Sequence, residues 1–272
     1  MELTRYGYHM RRPEELALKA LLNRPGNGVR ALLLEGAPGT GKTFLAECLA
    51  QATEAAYCYM LCHNWLSDEE LFIGVDVGAV AVGVERREDA YRPGLLLRAV
   101  EASKRGNVVV CIDELDKAPQ RAESLLLDFL QSARVHGPRG EVWQGTPENI
   151  IIVLTSNAVR TMMEATLRRC FRLTMTFLPE NVERDLLRKW TGAPTSAIRV
   201  VVQFANVIRT DGATAPSIQE MKHLLLDMRH AESAADAEIL LRASLVKENE
   251  DWQALVKAAK HPAAALWGEW QR

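Results

Sequence analysis

The 272-residue sequence has little that would take it out of water. Its longest apolar run, Gly78–Val84, falls far short of the roughly 18 residues that cross a bilayer, and Met1–Arg12 has no apolar signal-peptide region. A cytoplasmic protein with no membrane insertion is expected. Cysteine is sparse, scattered and odd in number, five in all, which excludes a disulfide framework. Cys48, Cys58, Cys111 and Cys170 lie in apolar-periodic stretches and read as buried free thiols. Cys58, Cys62 and His63 are neighbours, but no second Cys/His cluster completes a tetrahedral zinc site. Charge of one sign is also lacking: 33 Lys plus Arg stand against 35 Asp plus Glu, so bulk electrostatics do not favour nucleic acid. There are no internal repeats or low-complexity segments. What remains, 48% hydrophobic and 25% charged residues, is the composition of an ordinary globular chain.

From Arg30 to Phe177 short apolar runs alternate with helical patterns, as in an α/β protein with a parallel sheet. The runs are Ala31–Leu34, Ala56–Leu61, Val108–Ile112, Ile150–Leu154 and Leu173–Phe177, and their continuous hydrophobicity predicts strands covered on both faces. Beyond Pro179 only helical patterns follow: Glu180–Trp190, Ser196–Ile208, Ser217–Arg229 and two further stretches to about Lys260. Trp252, Trp267 and Trp270 fall in the last apolar region, Ala234–Trp270, where a helical stripe is expected to pack internally, a docking face being the alternative. Proline ends a ladder and restricts the residue before it, so the expected domains are 1–178 and 179–272.

The strongest signal is Gly36-Ala37-Pro38-Gly39-Thr40-Gly41-Lys42-Thr43, the GxxxxGK[ST] pattern, placed after a strand and opening a helix. Backbone N–H groups of such a glycine-bent loop converge on phosphate oxygens, and the helix N-terminus adds a favourable dipole. In that setting Lys42 is expected to reach the β/γ-phosphates and the Thr43 hydroxyl to ligate Mg²⁺.

The strand Val108–Ile112 runs into Asp113 and Glu114, two carboxylates at the edge where open α/β sheets place their ligands. Asp113 is expected to hold Mg²⁺ and Glu114 to polarise an attacking water, whereas Asp116 reads as a helix cap. Asn157, just past the strand Ile150–Leu154, is a candidate for orienting that water; an asparagine in an ordinary turn is the alternative.

The order of P-loop, Asp-Glu strand, polar-tipped strand and Leu167-Arg168-Arg169-Cys170-Phe171, with helices behind, resembles the AAA+ ATPases over nearly the whole chain. The resemblance implies an AAA+ P-loop core with a parallel five-stranded sheet followed by a small all-helical lid domain. It implies ATP and Mg²⁺ as ligands, with GTP left open because nothing in Met1–Asn27 fixes the base. Two segments are similar to those of the MoxR-type branch: the helix-2 insert, Leu66–Arg92, with Tyr91-Arg92-Pro93-Gly94 after it, and a pre-sensor hairpin, Ala133–Gln144, turning at Gly137-Pro138-Arg139-Gly140. In that branch both face a ring pore and engage partners.

By the same resemblance Arg169, with Arg168 as second choice, is the arginine that reaches a neighbouring subunit's nucleotide; a solvated pair of cations is the alternative. The chain departs from the family at Gln219, which stands where relatives usually carry a lid arginine on the γ-phosphate, with Lys222 or Arg229 substituting if the alignment slips by a turn. The implied activity is ATP hydrolysis in a homo-oligomeric ring, a hexamer by analogy, remodelling a protein substrate or adaptor, possibly one with a von Willebrand factor A domain. Two rivals stand beside it. One is a DNA-directed motor using Arg86-Arg87 and Arg134-Val135-His136; the other is a nucleotide-gated scaffold with little turnover.

Overall fold

The computed structural model describes residues 3–23, 28–82, 90–137 and 139–272. Arg86, Arg87 and Pro138, singled out above, lie outside the described residues. The chain divides into two compact units, one of residues 1–36 and 41–175 and the other of residues 37–40 and 176–272.

In the first unit α1 (Arg12–Leu22), β1 (Arg30–Glu35), α2 (Lys42–Ala52) and β2 (Ala56–Leu61) lead into a short excursion. The excursion comprises α3 (Asp68–Leu71), β3 (Ile73–Val75), α4 (Val77–Val82) and β4 (Tyr91–Pro93). Then follow α5 (Leu95–Ser103), β5 (Val108–Asp113), α6 (Gln120–Ser132), the strands β6 (Arg134–His136) and β7 (Val142–Gln144), β8 (Ile150–Ser156), α7 (Glu164–Leu167) and β9 (Phe171–Thr174). β2, β5, β8, β1 and β9 lie in that order in one five-stranded sheet, all pairs parallel.

Alternate residues of the central strands enter two cores. Val108, Val110, Ile112, Ile150, Ile152 and Leu154 face one, and Val109, Cys111, Ile151 and Val153 face the other. Every residue of β5 and β8 is buried, and a fully buried aliphatic side chain contributes roughly 1.5–3 kcal/mol. The expectation of strands covered on both faces fails at β2. It is an edge strand whose Cys58 and Met60 pack on a core while Tyr57, Tyr59 and Leu61 stay exposed. The last strand also lies earlier than the expected Leu173–Phe177. Pairing with β1 ends with Met175, whose N–H donates to the Glu35 carbonyl at 2.7 Å, and Phe177 lies instead beneath the Arg209 guanidinium, 3.9 Å from its ring centre. Among the cysteines, Cys48, Cys62 and Cys111 are buried, Cys58 and Cys170 partly so, and all are free.

The second unit is helical: α8 (Glu180–Thr191), α9 (Thr195–Asp211), α10 (Ile218–Asp227), α11 (Ala234–Leu245), α12 (Asn249–Ala259) and α13 (Pro262–Trp270). The two further stretches expected to about Lys260 are α11 and α12; beyond them Lys260 takes a positive φ of 51° and Pro262, at the first turn, restarts the chain as α13. Trp252, Trp267 and Trp270 pack against this unit's core, as the apolar stripe predicted. No helix among the described residues is long and apolar enough to cross a membrane.

Candidate functional site

The loop after β1 bends through glycines. Gly41 caps α2 at φ +89°, a conformation that side chains rarely adopt. The bend places Lys42 and Thr43 in the first turn of α2, beside the carboxyl ends of β5 and β8. Lys42 is buried and donates to the Gly36 carbonyl at 2.7 Å. Burial pulls its ammonium below the ordinary lysine range, against the carboxylates of Asp113, Asp116 and Glu114, which favour the charge.

Asp113, the buried last residue of β5, gathers hydroxyls. Its Oδ1 accepts from Thr43 at 2.8 Å and from Thr155 at 2.5 Å, and its Oδ2 from Tyr59 at 3.2 Å. Thr155 Oγ1 in turn accepts the Glu114 backbone N–H at 2.8 Å. The Tyr59 hydroxyl is pushed up to about 12, by burial first and then by the Asp113 charge, so it remains a donor at neutral pH.

Glu114 leaves the strand at φ 54° and takes partners that Asp113 does not share. Both of its oxygens are held: Asn157 Nδ2 donates to Oε1 at 2.8 Å and Lys117 Nζ lies 2.7 Å from Oε2. That contact raises the Lys117 ammonium above its usual value.

Asp116 does not cap the helix that follows, since Pro119 occupies that position on α6. It is buried in a single 3₁₀ turn, Leu115–Lys117, where its Oδ2 accepts the backbone N–H groups of Asn157 at 3.1 Å and Val159 at 2.9 Å and fixes the turn that carries Asn157. Thr155, Tyr59, Lys117 and Asp116 thus join the cluster although sequence reasoning gave them no part in it. The polar tip Thr155-Ser156-Asn157 was the one hint.

The remaining candidates make other contacts. Arg168 caps α7, is exposed and pairs with Glu164; Arg169 donates to the Ala165 carbonyl at 3.0 Å and to Gln131 at 3.3 Å. In the helical unit Gln219 is exposed in the first turn of α10. The two cations considered in its stead have partners there: Lys222 lies 5.7 Å from the Trp190 ring centre, and Arg229 donates to the Thr191 carbonyl at 2.5 Å. Residues 37–40 belong to that unit, and a Cβ added to Gly39 would lie 2.5 Å from Cβ of Ser217, the cap of α10.

Both expected insertions carry antiparallel pairs, β3 with β4 and β6 with β7. They touch: the Tyr91 hydroxyl donates to Glu141 at 2.5 Å, and the Tyr91 and Trp143 rings meet edge to face at 5.9 Å. Arg134 is engaged by Gln144 and His136 by Asp128, while Val135 is buried. Among the described residues no group of three His, Cys, Asp or Glu is placed to hold a metal ion.

A parallel sheet with a glycine-bent loop, a following lysine and a strand-end carboxylate defines a P-loop α/β architecture. The chain belongs to the AAA domain family, dynein-related subfamily, whose sequence profile matches residues 31–171. Comparison with curated proteins gives no significant match. Among solved structures, a mutant of RuvB from Thermotoga maritima is similar in fold, with a TM-score of 0.50 and 14% identity over 92% of this chain and 69% of that one.

Proposed function

We propose that the chain is a Mg²⁺-dependent ATPase that works in a homo-oligomeric ring, a hexamer by analogy with the family, and remodels a partner protein. One observation carries the reading: Thr43, Asp113 and a Glu114 held by Asn157 converge at the carboxyl end of one sheet, beside the buried Lys42. The donor set fits its ligands. Thr43 and Asp113 present hard oxygens 2.8 Å apart and would hold Mg²⁺, while Lys42 and the loop N–H groups would hold the triphosphate. The bound cation supplies charge neutralisation on the phosphoryl oxygens. Glu114 accepts a proton from water, which requires one of its two present partners to yield; Asn157 orients the carboxylate, and Asp116 holds the turn beneath Asn157.

On this reading residues 1–178 form the nucleotide-binding core and 179–272 the lid. The two touching insertions support membership of the MoxR-type branch, with a partner bearing a von Willebrand factor A domain, and Arg169, or Arg168, acts across the subunit boundary. Nucleic acid is not favoured, since Arg134 and His136 already have partners within the chain. A second reading, a nucleotide-gated scaffold with little turnover, draws on the neutral, exposed Gln219 and on the fully engaged Glu114.

Steady-state ATP hydrolysis by the assembled protein separates the two. Lys42→Ala is expected to abolish nucleotide binding. Glu114→Gln is expected to keep binding and assembly while hydrolysis falls by at least ~10². Wild-type-like turnover in Glu114→Gln removes the water-activating role from this residue.

A further inference from the structure

The helical unit contains seven arginines, and they fall into two groups. Arg209 pairs with Glu183, Arg242 with Glu238 and Arg272 with Glu269, and Arg229 donates to the Thr191 carbonyl. The other three, Arg184, Arg188 and Arg199, make no ion pair or side-chain hydrogen bond among the described residues, and all three line one cleft of about 390 Å³ between α8 and α9. Arg184 and Arg188 are one turn apart on α8, where like charges repel. Thr195 and Ser196, in the first turn of the 17-residue α9, line the same cleft and add the positive end of that helix. This concentration of cations stands on a chain whose net charge is −2.

We infer that this cleft is a docking site for an acidic peptide segment of a partner protein. Guanidinium groups match carboxylates two bonds at a time, so three of them read spaced Asp or Glu side chains. One further lining residue bears on whether the ligand's backbone is peptide or phosphodiester. Asp185 shares the cleft, yet it is not within ion-pair distance of any of the three arginines. A peptide backbone offers it N–H donors, whereas a phosphate backbone offers it only repulsion. The inference goes beyond the ATPase reading and does not depend on it, because the cleft lies within the helical unit and its ligand needs no nucleotide.

The test is fluorescence anisotropy of a labelled peptide of alternating Glu and Gly with the full-length protein, in the absence of nucleotide. Its Gln-Gly isostere, single-stranded oligothymidylate and inorganic phosphate serve as comparisons. The Glu peptide should bind, weaken with added salt and outbind the isostere. Each of Arg184→Gln, Arg188→Gln and Arg199→Gln should weaken it about threefold to fivefold, the range of single exposed ion pairs. Lysine at the same positions should restore part of the loss, and Asp185→Asn should weaken binding as well. Arg105→Gln, on the other unit's surface, should change nothing. Equal binding of the isostere, an equal loss in Arg105→Gln, or tighter binding of oligothymidylate or phosphate that Asp185→Asn strengthens would each overturn the assignment. Matching melting temperatures of the variants keep folding out of the comparison.

Discussion

Asp113 in the sheet unit and Asp251 in the helical unit are both buried carboxylates that accept several hydrogen bonds, but from different kinds of donor. Asp251 takes backbone N–H groups from Ala213, Thr214, Lys247 and Glu248 and the hydroxyl of Thr214, all at 2.7–3.0 Å. Asp113 takes side-chain hydroxyls from Thr43, Thr155 and Tyr59. A backbone donor cannot turn away without unfolding the loop that owns it, so Asp251 ties the segment after α9 to the start of α12. A hydroxyl can rotate and offer its lone pairs elsewhere, which leaves Asp113 able to exchange partners for a cation. The donor type, more than the burial, separates the two carboxylates.

If the exchangeable cluster is completed by a neighbouring subunit, Arg169→Ala should bind ATP normally and lose hydrolysis by about 10³. Rings verified to mix Arg169→Ala with Glu114→Gln should regain activity above either parent, and mixed rings as inactive as both would remove the trans role. The fixed cluster should break in stability instead. Asp251→Asn, which removes a charge from four N–H donors, is expected to cost about 2–3 kcal/mol in denaturant unfolding followed by tryptophan fluorescence. Burial alone would raise the Asp251 carboxyl, but the Thr214 hydroxyl and the N–H groups of Thr214, Glu248 and Lys247 outweigh it and hold the group at about 2. Because the folded value lies below the unfolded one of 3.8, this contribution is whole above about pH 4 and is lost as pH falls through about 2. The wild type should lose stability over that window and the Asn variant should not show this component.

Two smaller tests probe how far the exchangeable character extends. Gln219→Arg should tighten ATP about tenfold relative to ADP, since a charged donor exceeds a neutral one by roughly that factor. Isothermal titration reads both nucleotides, and equal tightening of the two would mark a general charge effect. Tyr59→Phe should lower kcat/KM by no more than about threefold, the loss of one long hydrogen bond at a solvent-facing edge. With its hydroxyl protonated up to about 12, the deficit should stay constant between neutral and mildly alkaline pH. A larger or pH-dependent loss would give Tyr59 more than a supporting part.

The P-loop and the Asp113–Glu114 strand end were legible in the sequence because each is contiguous, and the apolar runs revealed the sheet for the same reason. Thr155, Tyr59 and Lys117 were not. Thr155 follows Leu154, which pairs with Ile112, and Tyr59 lies two residues before Leu61, which pairs with Asp113. Their proximity is a product of register between strands far apart in the chain, and no periodicity along one strand contains it. The exposure of β2 was hidden likewise, because an edge strand and a central one share the same apolar alphabet. At Asp116 the helical cap preference was misleading: the 3₁₀ turn bends the carboxylate toward the end of β8 instead.

The strand order also sets a timetable for folding. Among the described residues β1, which carries the P-loop, pairs only with β8 and β9, whereas β5 pairs with β2 and β8. During synthesis β2 and β5 can form a ribbon early, but β1 waits without a sheet neighbour until residues 150–156 have left the ribosome. Such long-range pairing is slow because loop closure precedes any gain from contacts. The strand that carries the phosphate loop thus gains its sheet neighbours only once β8 and β9 are available, and a nascent chain that stalls before β8 holds the sequence of the loop without the strands that flank it.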